Sequence, residues 1–314
     1  MNFGNIIKKE LISKTNKDTC CKRAFLTGFL RGSAVIIERD DGICLEYKVS
    51  SEELAMLINS YINILFDYEV REISFTMDKD GKDKFNITLP PEITVEVLTK
   101  LGIVKEEKGQ WTLDFDFYSL VADKDCCFRA FLRGLFISSG LCTVPSSKDN
   151  NTKYHLEIVF GHSIPAQDTA GRLFKNGIST RIIRRKSSCV LYIKSAEEIK
   201  DFIAFLPAPV SVLKLTDIMI EREMINDINR AKNCDMGNLT RQVEASARQT
   251  LAIEKIQKTK GLDYLKKDLK ETAIARLENR EDSLVDLAER LGITKSCLNH
   301  RLRKIIEIAK EIEE

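Results

Sequence analysis

Nine residues of this chain occur twice, 106 positions apart. Cys20-Cys21-Lys22-Arg23-Ala24-Phe25-Leu26-Thr27-Gly28 returns as Cys126-Cys127-Phe128-Arg129-Ala130-Phe131-Leu132-Arg133-Gly134, with seven of the nine positions identical. Solenoid repeats recur every 20–50 residues or so, so this period marks duplication of a whole half-domain. Both copies carry small residues four apart, Ala24, Gly28 and Gly32 in the first and Ala130, Gly134 and Ser138 in the second. Residues four apart share one face of a helix. Glycine inside a helix costs about 0.5–1 kcal/mol relative to alanine, so two matching stripes need a compensating reason. Close packing of the two helices against each other, across a pseudo-two-fold axis, supplies it, with Phe25, Phe29, Phe131 and Leu135 turned towards flanking sheets.

The pattern after each copy is the same. Strands are expected at Ala34–Ile37 and Ile43–Val49 around the turn Arg39-Asp40-Asp41-Gly42, followed by a helix capped by Ser51 and running through Phe66. A hairpin from Val70 to Met77 and Phe85 to Leu89 turns at Asp78-Lys79-Asp80-Gly81, and Pro90-Pro91 opens a helix to Leu101. The second copy repeats this α-β-β-α-β-β-α order. Its strands fall at Leu141–Val144 and Tyr154–Phe160 around a polar loop through Asn151, and a helix spans Ala166–Asn176. The hairpin Ile178–Arg184 with Cys189–Ile193 follows, and a helix from Ser195 to Leu206 stops at Pro207 and Pro209.

Composition narrows the function classes. No run of about 18 apolar residues is present, so no membrane span is expected. Asn2 to Ser13 reads as a short amphipathic helix with Phe3, Ile6, Ile7 and Leu11 on one side, not as a signal peptide. Nine cysteines with no C-x-x-C and only three histidines offer no metal-ligand spacing. The two Cys-Cys pairs read as small apolar residues at helix starts in a reducing cytosol, so neither a metal nor a cofactor is expected. Residues 1–120 carry 16 basic and 20 acidic residues (net −4), whereas residues 121–228 and 229–314 are each net +3. That asymmetry permits a polyanionic partner without requiring one.

Leu26-Thr27-Gly28-Phe29-Leu30-Arg31-Gly32-Ser33-Ala34 and Leu132-Arg133-Gly134-Leu135-Phe136-Ile137-Ser138-Ser139-Gly140 resemble the LAGLIDADG motif of homing endonucleases. The resemblance implies a saddle of two sheets on DNA and an acidic residue near the end of each motif helix holding divalent metal. Those positions here are Ser33 and Ser139, and the motif's other acidic position is Arg31 in one copy and Ile137 in the other. A hydroxyl is a poor sole ligand for Mg²⁺, and Asp18 and Asp125 belong to the opposite ends of the helices. No catalytic residue is therefore assigned. Arg181, Arg184, Arg185 and Lys186 make a basic hairpin, while Glu38, Asp40, Asp41 and Glu46 make the first hairpin acidic. Such an uneven saddle suits a solvated or protein-binding face better than duplex DNA.

Leu213–Asn229 reads as a helix that runs into the Asn-, Asp- and Gly-containing segment Asn229–Asn238, where a cap, a turn and the domain boundary are expected. Helices follow at Arg241–Lys258 and Tyr264–Glu278, separated by Gly261. Residues 283–304 resemble a helix-turn-helix. Ser283 caps with Asp286 in the first turn, Ala288 is small where the helices cross, Gly292 allows the sharp turn, and Thr294 caps the second helix. Leu298, Leu302 and Ile305 face inward. Recognition helices place their N-terminal residues on base edges. Lys295, Ser296 and Asn299 are the base-reading candidates, with Asn299 suited to adenine. Arg301, Arg303 and Lys304 are phosphate-holding candidates, and His300 points outward beside them.

A duplicated LAGLIDADG-like domain without its acids and a C-terminal helix-turn-helix together resemble the WhiA family. The segments Asn229-Arg230-x-x-Asn233-Cys234 and Asn299-His300-Arg301-Leu302-Arg303-Lys304 are also similar to that family's signatures. The expected fold is α+β: a duplicated domain over 1–228 (halves about 1–120 and 121–210, then a tethering helix) and an all-α DNA-binding domain over 229–314. The resemblance implies a non-enzymatic, cytoplasmic and nucleoid-associated regulator of Gram-positive bacteria. It would bind double-stranded DNA through the helix-turn-helix and serve cell division, chromosome segregation and sporulation-gene control, with a protein partner possible on the duplicated domain. The competing readings are an active or residual LAGLIDADG endonuclease and a division adaptor with incidental DNA binding.

Overall fold

The structure, a computed structural model, describes residues 3–77, 83–115, 123–146 and 152–312. The expected turn at 78–81 and much of the loop through Asn151 lie outside the described residues. The chain divides into two compact units, 1–222 and 223–314.

The first unit opens with α1 (Gly4–Ile12), whose Phe3, Ile7 and Leu11 are fully buried. The first repeat copy follows as α2 (Thr19–Ser33), β1 (Ala34–Arg39), β2 (Gly42–Val49), α3 (Glu52–Phe66), β3 (Glu72–Met77), β4 (Asp83–Leu89) and α4 (Pro91–Lys100). A short hairpin, β5 (Val104–Glu107) and β6 (Gln110–Leu113), closes this half. The second copy runs α5 (Asp125–Ser139), β7 (Gly140–Thr143), β8 (His155–Phe160), α6 (Ser163–Lys175), β9 (Arg181–Arg185), β10 (Ser188–Ile193) and α7 (Ala196–Phe205). Both sheets are antiparallel and share one topology, β1-β2-β4-β3 and β7-β8-β10-β9.

Local chemistry accounts for these elements. Ser51 accepts a hydrogen bond from the Leu54 amide, and Ser195 accepts one from Glu198, so each caps the helix it precedes. In β2, Leu45, Tyr47 and Val49 are buried while Lys48 is exposed, the period-2 pattern of a sheet covered on one face. Leu156, Ile158 and Phe160 on β8 do the same in the second sheet. The inner faces of both halves and the paired helices form one continuous core.

The helix pair α2–α5 is the spine. A Cβ on Gly28 would lie 2.0 Å from the Phe131 carbonyl oxygen, and a Cβ on Gly134 would lie 2.1 Å from the Phe25 carbonyl oxygen. Each glycine therefore sits against the backbone of the partner helix, and Phe25 and Phe131 are themselves equivalent positions of the repeat. The exchange of equivalent contacts is the pseudo-two-fold relation expected from the small-residue stripes. Phe29 meets Tyr47 of β2 edge-on at 6.1 Å, and Phe25 meets Tyr61 of α3 at 5.5 Å.

One expectation fails. Asn229–Asn238 is not a turn but part of α8 (Pro209–Thr259), an unbroken helix of 51 residues. Asparagine and glycine each cost a helix about 0.5–1 kcal/mol, too little to interrupt it when flanking residues favour propagation. Thr240 hydroxyl donates back to the Met236 carbonyl at 2.9 Å, and Arg230 pairs with Asp227 one turn away.

In the second unit the end of α8 packs with α9 (Lys267–Glu278), α10 (Leu284–Arg290) and α11 (Lys295–Glu311). Gly261, at φ 77°, ends α8, and a 3₁₀ turn (Leu262–Tyr264) leads into α9. Ile253 and Ile256 of α8 join Leu269, Ala273, Leu287, Ala288, Leu298, Leu302 and Ile305 in a separate core.

Candidate nucleic-acid interface

The α10–turn–α11 segment is built by its caps. Ser283 accepts hydrogen bonds from the Val285 and Asp286 amides, and Asp286 accepts one from the Ser283 amide, completing a capping box. At the other end of α10, Gly292 adopts φ 63°, and the Ile293 amide donates to the Ala288 carbonyl at 3.0 Å. That αL glycine reverses the chain at low cost. Thr294 then caps α11 by accepting from the Cys297 amide at 3.2 Å. Below the turn, Arg276 is almost fully buried, and its guanidinium donates to the Asn279 and Asp282 carbonyls at 3.3 and 2.8 Å. Burial lowers its pKa, with Asp282 opposing. This arginine ties α9 to the loop that enters α10.

Leu298, Leu302 and Ile305 are buried and fix the rotation of α11. Lys295, Ser296, His300, Arg303 and Lys304 are consequently exposed, and Asn299 is half-buried on the flank of the same surface. Lys295, Asn299 and Arg303 stand four apart and form one column; Ser296 and His300 form the next. No carboxylate occurs between Lys295 and Ile306. Arg301 departs from the group. It is half-buried, its guanidinium donates to the Asp268 carbonyl of α9 at 3.4 Å, and its Nε lies 3.8 Å from the Asp268 carboxylate. Lys304 pairs with Glu307 at 3.2 Å. The geometry thus gathers Lys295, Ser296, Asn299, His300 and Arg303 on one open surface and directs Arg301 towards α9.

At the ends of the motif helices, the hydroxyls of Ser33 and Ser139 turn back onto their own helices, donating to the Phe29 and Leu135 carbonyls at 2.9 and 3.1 Å. Among the described residues, no group of three His, Asp or Glu side chains converges there. A hard divalent cation requires carboxylate oxygens, so the residues present do not fit the metal of a LAGLIDADG nuclease. Arg31 occupies the motif's other acidic position. Its guanidinium donates to the Gly102 and Asp114 carbonyls at 2.6 and 2.5 Å, which ties α2 to the β5–β6 hairpin. The outer sheet faces are mixed. Glu157 pairs with His155 at 2.9 Å and Arg185 at 3.3 Å, while Val159 and Ile183 of the same sheet and Val35 of the first sheet stand exposed.

Comparison with known proteins agrees with this architecture. The WhiA LAGLIDADG-like domain family matches residues 128–225, and the WhiA C-terminal HTH domain family matches residues 228–309. A probable cell division protein WhiA of Lachnospira eligens is 35% identical, covering 100% of this chain and 98% of its own. This chain belongs to the WhiA family. Another relative of that name, from Caldicellulosiruptor saccharolyticus, is 33% identical over 99% of this chain and 96% of its own. The crystal structure of full-length WhiA from Thermotoga maritima covers both chains completely, with a TM-score of 0.56 at 26% identity.

Two parts of this WhiA fold escaped the sequence reading. The hairpin β5–β6 turns at Lys108-Gly109, both at positive φ (54° and 76°). Lys-Gly between short polar strands was the available signal. Asp268, the partner of Arg301, carries no local signal, because it reaches the site from a different helix.

Proposed function

We propose that this WhiA-family protein is a double-stranded-DNA-binding regulator of cell division that reads DNA with the N-terminal half of α11. The observation that carries this reading is the open, acid-free surface of Lys295, Ser296, Asn299, His300 and Arg303, held by two capped helices on a closed core. Lys295, Ser296 and Asn299 would meet base edges, while Arg303 and Lys304 would hold phosphates. The division role follows from the relatives, which are named probable cell division proteins. A place in the cytoplasm at the nucleoid, and further control of chromosome segregation and sporulation-type genes, go with this proposal.

The first unit is proposed to be non-nucleolytic and to serve as a platform for a protein partner, because Ser33 and Ser139 offer no carboxylate. Fluorescence anisotropy with duplex DNA, using the full chain and a Lys295→Ala/Arg303→Ala variant, tests the interface. Affinity should fall by roughly tenfold or more, and the salt dependence should become shallower by about one unit for each lost phosphate contact. Unchanged affinity and slope would remove α11 from the interface. Site-specific cleavage of plasmid DNA with Mg²⁺ would overturn the non-nuclease assignment.

A further inference from the structure

The repeat's two Cys-Cys pairs, unrelated by any metal-ligand spacing in sequence, meet in space. The Sγ atoms of Cys20, Cys21 and Cys127 all lie within 4.8 Å of one another, and Cys126 Sγ is 4.0 Å from Cys127 Sγ. All four are free thiols, with Cys21 and Cys127 buried and Cys20 and Cys126 exposed. They occupy matching places, the second and third residues of α2 and of α5. This is the end of the helix pair opposite to Ser33 and Ser139.

We propose that these four cysteines form a binding site for a single thiophilic d¹⁰ cation of the Zn²⁺ class, shared by the two halves of the duplicated domain. Structural zinc takes four thiolates in a tetrahedron at about 2.3 Å each, which sets sulfur atoms about 3.8 Å apart. Cys20, Cys21 and Cys127 stand within 4.8 Å of one another and Cys126 stands 4.0 Å from Cys127, so three thiols are near ligand spacing and a rotamer change of the exposed Cys126 side chain would bring in the fourth. One further feature bears on the site. Neither helix has a side-chain N-cap, so the first-turn amides and both helix dipoles are left to act on thiolates once a cation has formed them. Without a cation, burial pushes the Cys21 thiol up to about 12 and the Cys127 thiol up as well. Metal entry therefore displaces protons to solvent as sulfur–metal bonds form.

The test uses reduced, chelator-stripped full-length protein titrated with Co²⁺ as a spectroscopic probe and then with Zn²⁺. One Co²⁺ per chain should produce thiolate-to-cobalt charge-transfer and tetrahedral d–d bands, and one Zn²⁺ should displace it. Zn²⁺ should also protect these cysteines from alkylation. The double variant Cys20→Ser/Cys126→Ser changes exposed positions and keeps the buried pair. It should lose the bands and bind more weakly by at least the roughly 10–100-fold that loss of an outer-shell partner costs. Cys234→Ser/Cys297→Ser should bind like the parent. The proposal is overturned if metal follows Cys234 and Cys297 (an adventitious ion only), if the double variant binds as tightly as the parent, or if alkylation ignores Zn²⁺. Far-UV circular dichroism distinguishes loss of a ligand from loss of fold in each variant.

Discussion

Where α2 and α5 cross, the nearest atoms are backbone atoms; where α10 and α11 meet, they are side chains. In the first pair, Gly28 and Gly134 leave no room for a methyl group, since the place of a Cβ is taken by a carbonyl oxygen of the other helix. In the second pair, nothing lies within 4 Å of the place where a Cβ on Gly292 would sit, and Leu287, Ala288, Leu298 and Leu302 fill the interface. The contrast separates two uses of small residues. In α2–α5 they permit an approach that fixes the halves of a duplicated domain. In the helix-turn-helix a single glycine reverses the chain, and ordinary core packing frees one face of α11. Backbone contact cannot be relieved by a rotamer change, whereas side-chain packing can adjust.

The largest effect should come from Gly28→Val. Its branched side chain has to displace the Phe131 backbone, and α5 cannot move without opening the core shared by both halves. A loss of about 4 kcal/mol or more is expected, at the exceptional end for a single substitution. Gly292→Ala, a strained αL residue with open space around it, should cost only about 1 kcal/mol. Chemical denaturation of both variants, monitored by circular dichroism, checks the ranking. Equal unfolding midpoints would abolish the distinction between the two pairs.

An intermediate effect belongs to Lys8 on α1, whose ammonium lies 6.0 Å from the ring of Phe136 on α5. Burial lowers its pKa from 10.5 to about 8. The unfolded chain then holds a proton that the folded chain has released between pH 8 and 10.5. Stability contributed at this position therefore rises with pH across that window. Lys8→Met should stabilise the protein at pH 7, on the order of 3 kcal/mol, and the advantage should vanish by pH 10.5. Melting temperatures of parent and variant at the two pH values decide it. A constant difference between them would assign Lys8 to solvent.

The same contrast explains what could be read in advance. The small-residue stripes of Ala24, Gly28 and Ala130, Gly134 carry their packing logic in their spacing, and the matching strands β2 (from Leu45 to Val49) and β8 alternate in burial, so the duplicated fold was legible. The caps Ser283 and Thr294 and the turn at Gly292 were legible because each acts on residues within four positions. The continuity of α8 through Asn229–Asn238 was not, because weak turn preferences there are outweighed by helix propagation from both sides. Long-range partners were also hidden. Asp268 reaches Arg301 from α9, and Cys127 reaches Cys20 and Cys21 across 107 and 106 positions of chain. Where the proposed DNA-reading residues lie was legible from their helical phase, since Leu298, Leu302 and Ile305 determine which side of α11 faces outward.

The smallest effect should be at the cap that starts α11. Thr294→Ala removes the acceptor for the Cys297 amide and should cost about 1 kcal/mol. That loss is small for the fold, yet it falls on the turn that presents Lys295, Ser296 and Asn299. DNA affinity should therefore drop together with a fall of a few degrees in melting temperature, and Thr294→Ser, which keeps the acceptor, should restore both. Thr294→Asp also keeps the cap but adds a negative charge beside the proposed phosphate path, so it should retain stability and still weaken DNA binding, most strongly at low salt. If Thr294→Asp bound DNA as the parent does at low salt, the N-terminus of α11 would not lie against DNA. The side-chain-packed pair would then be another structural hairpin, no more exposed to nucleic acid than α2 and α5.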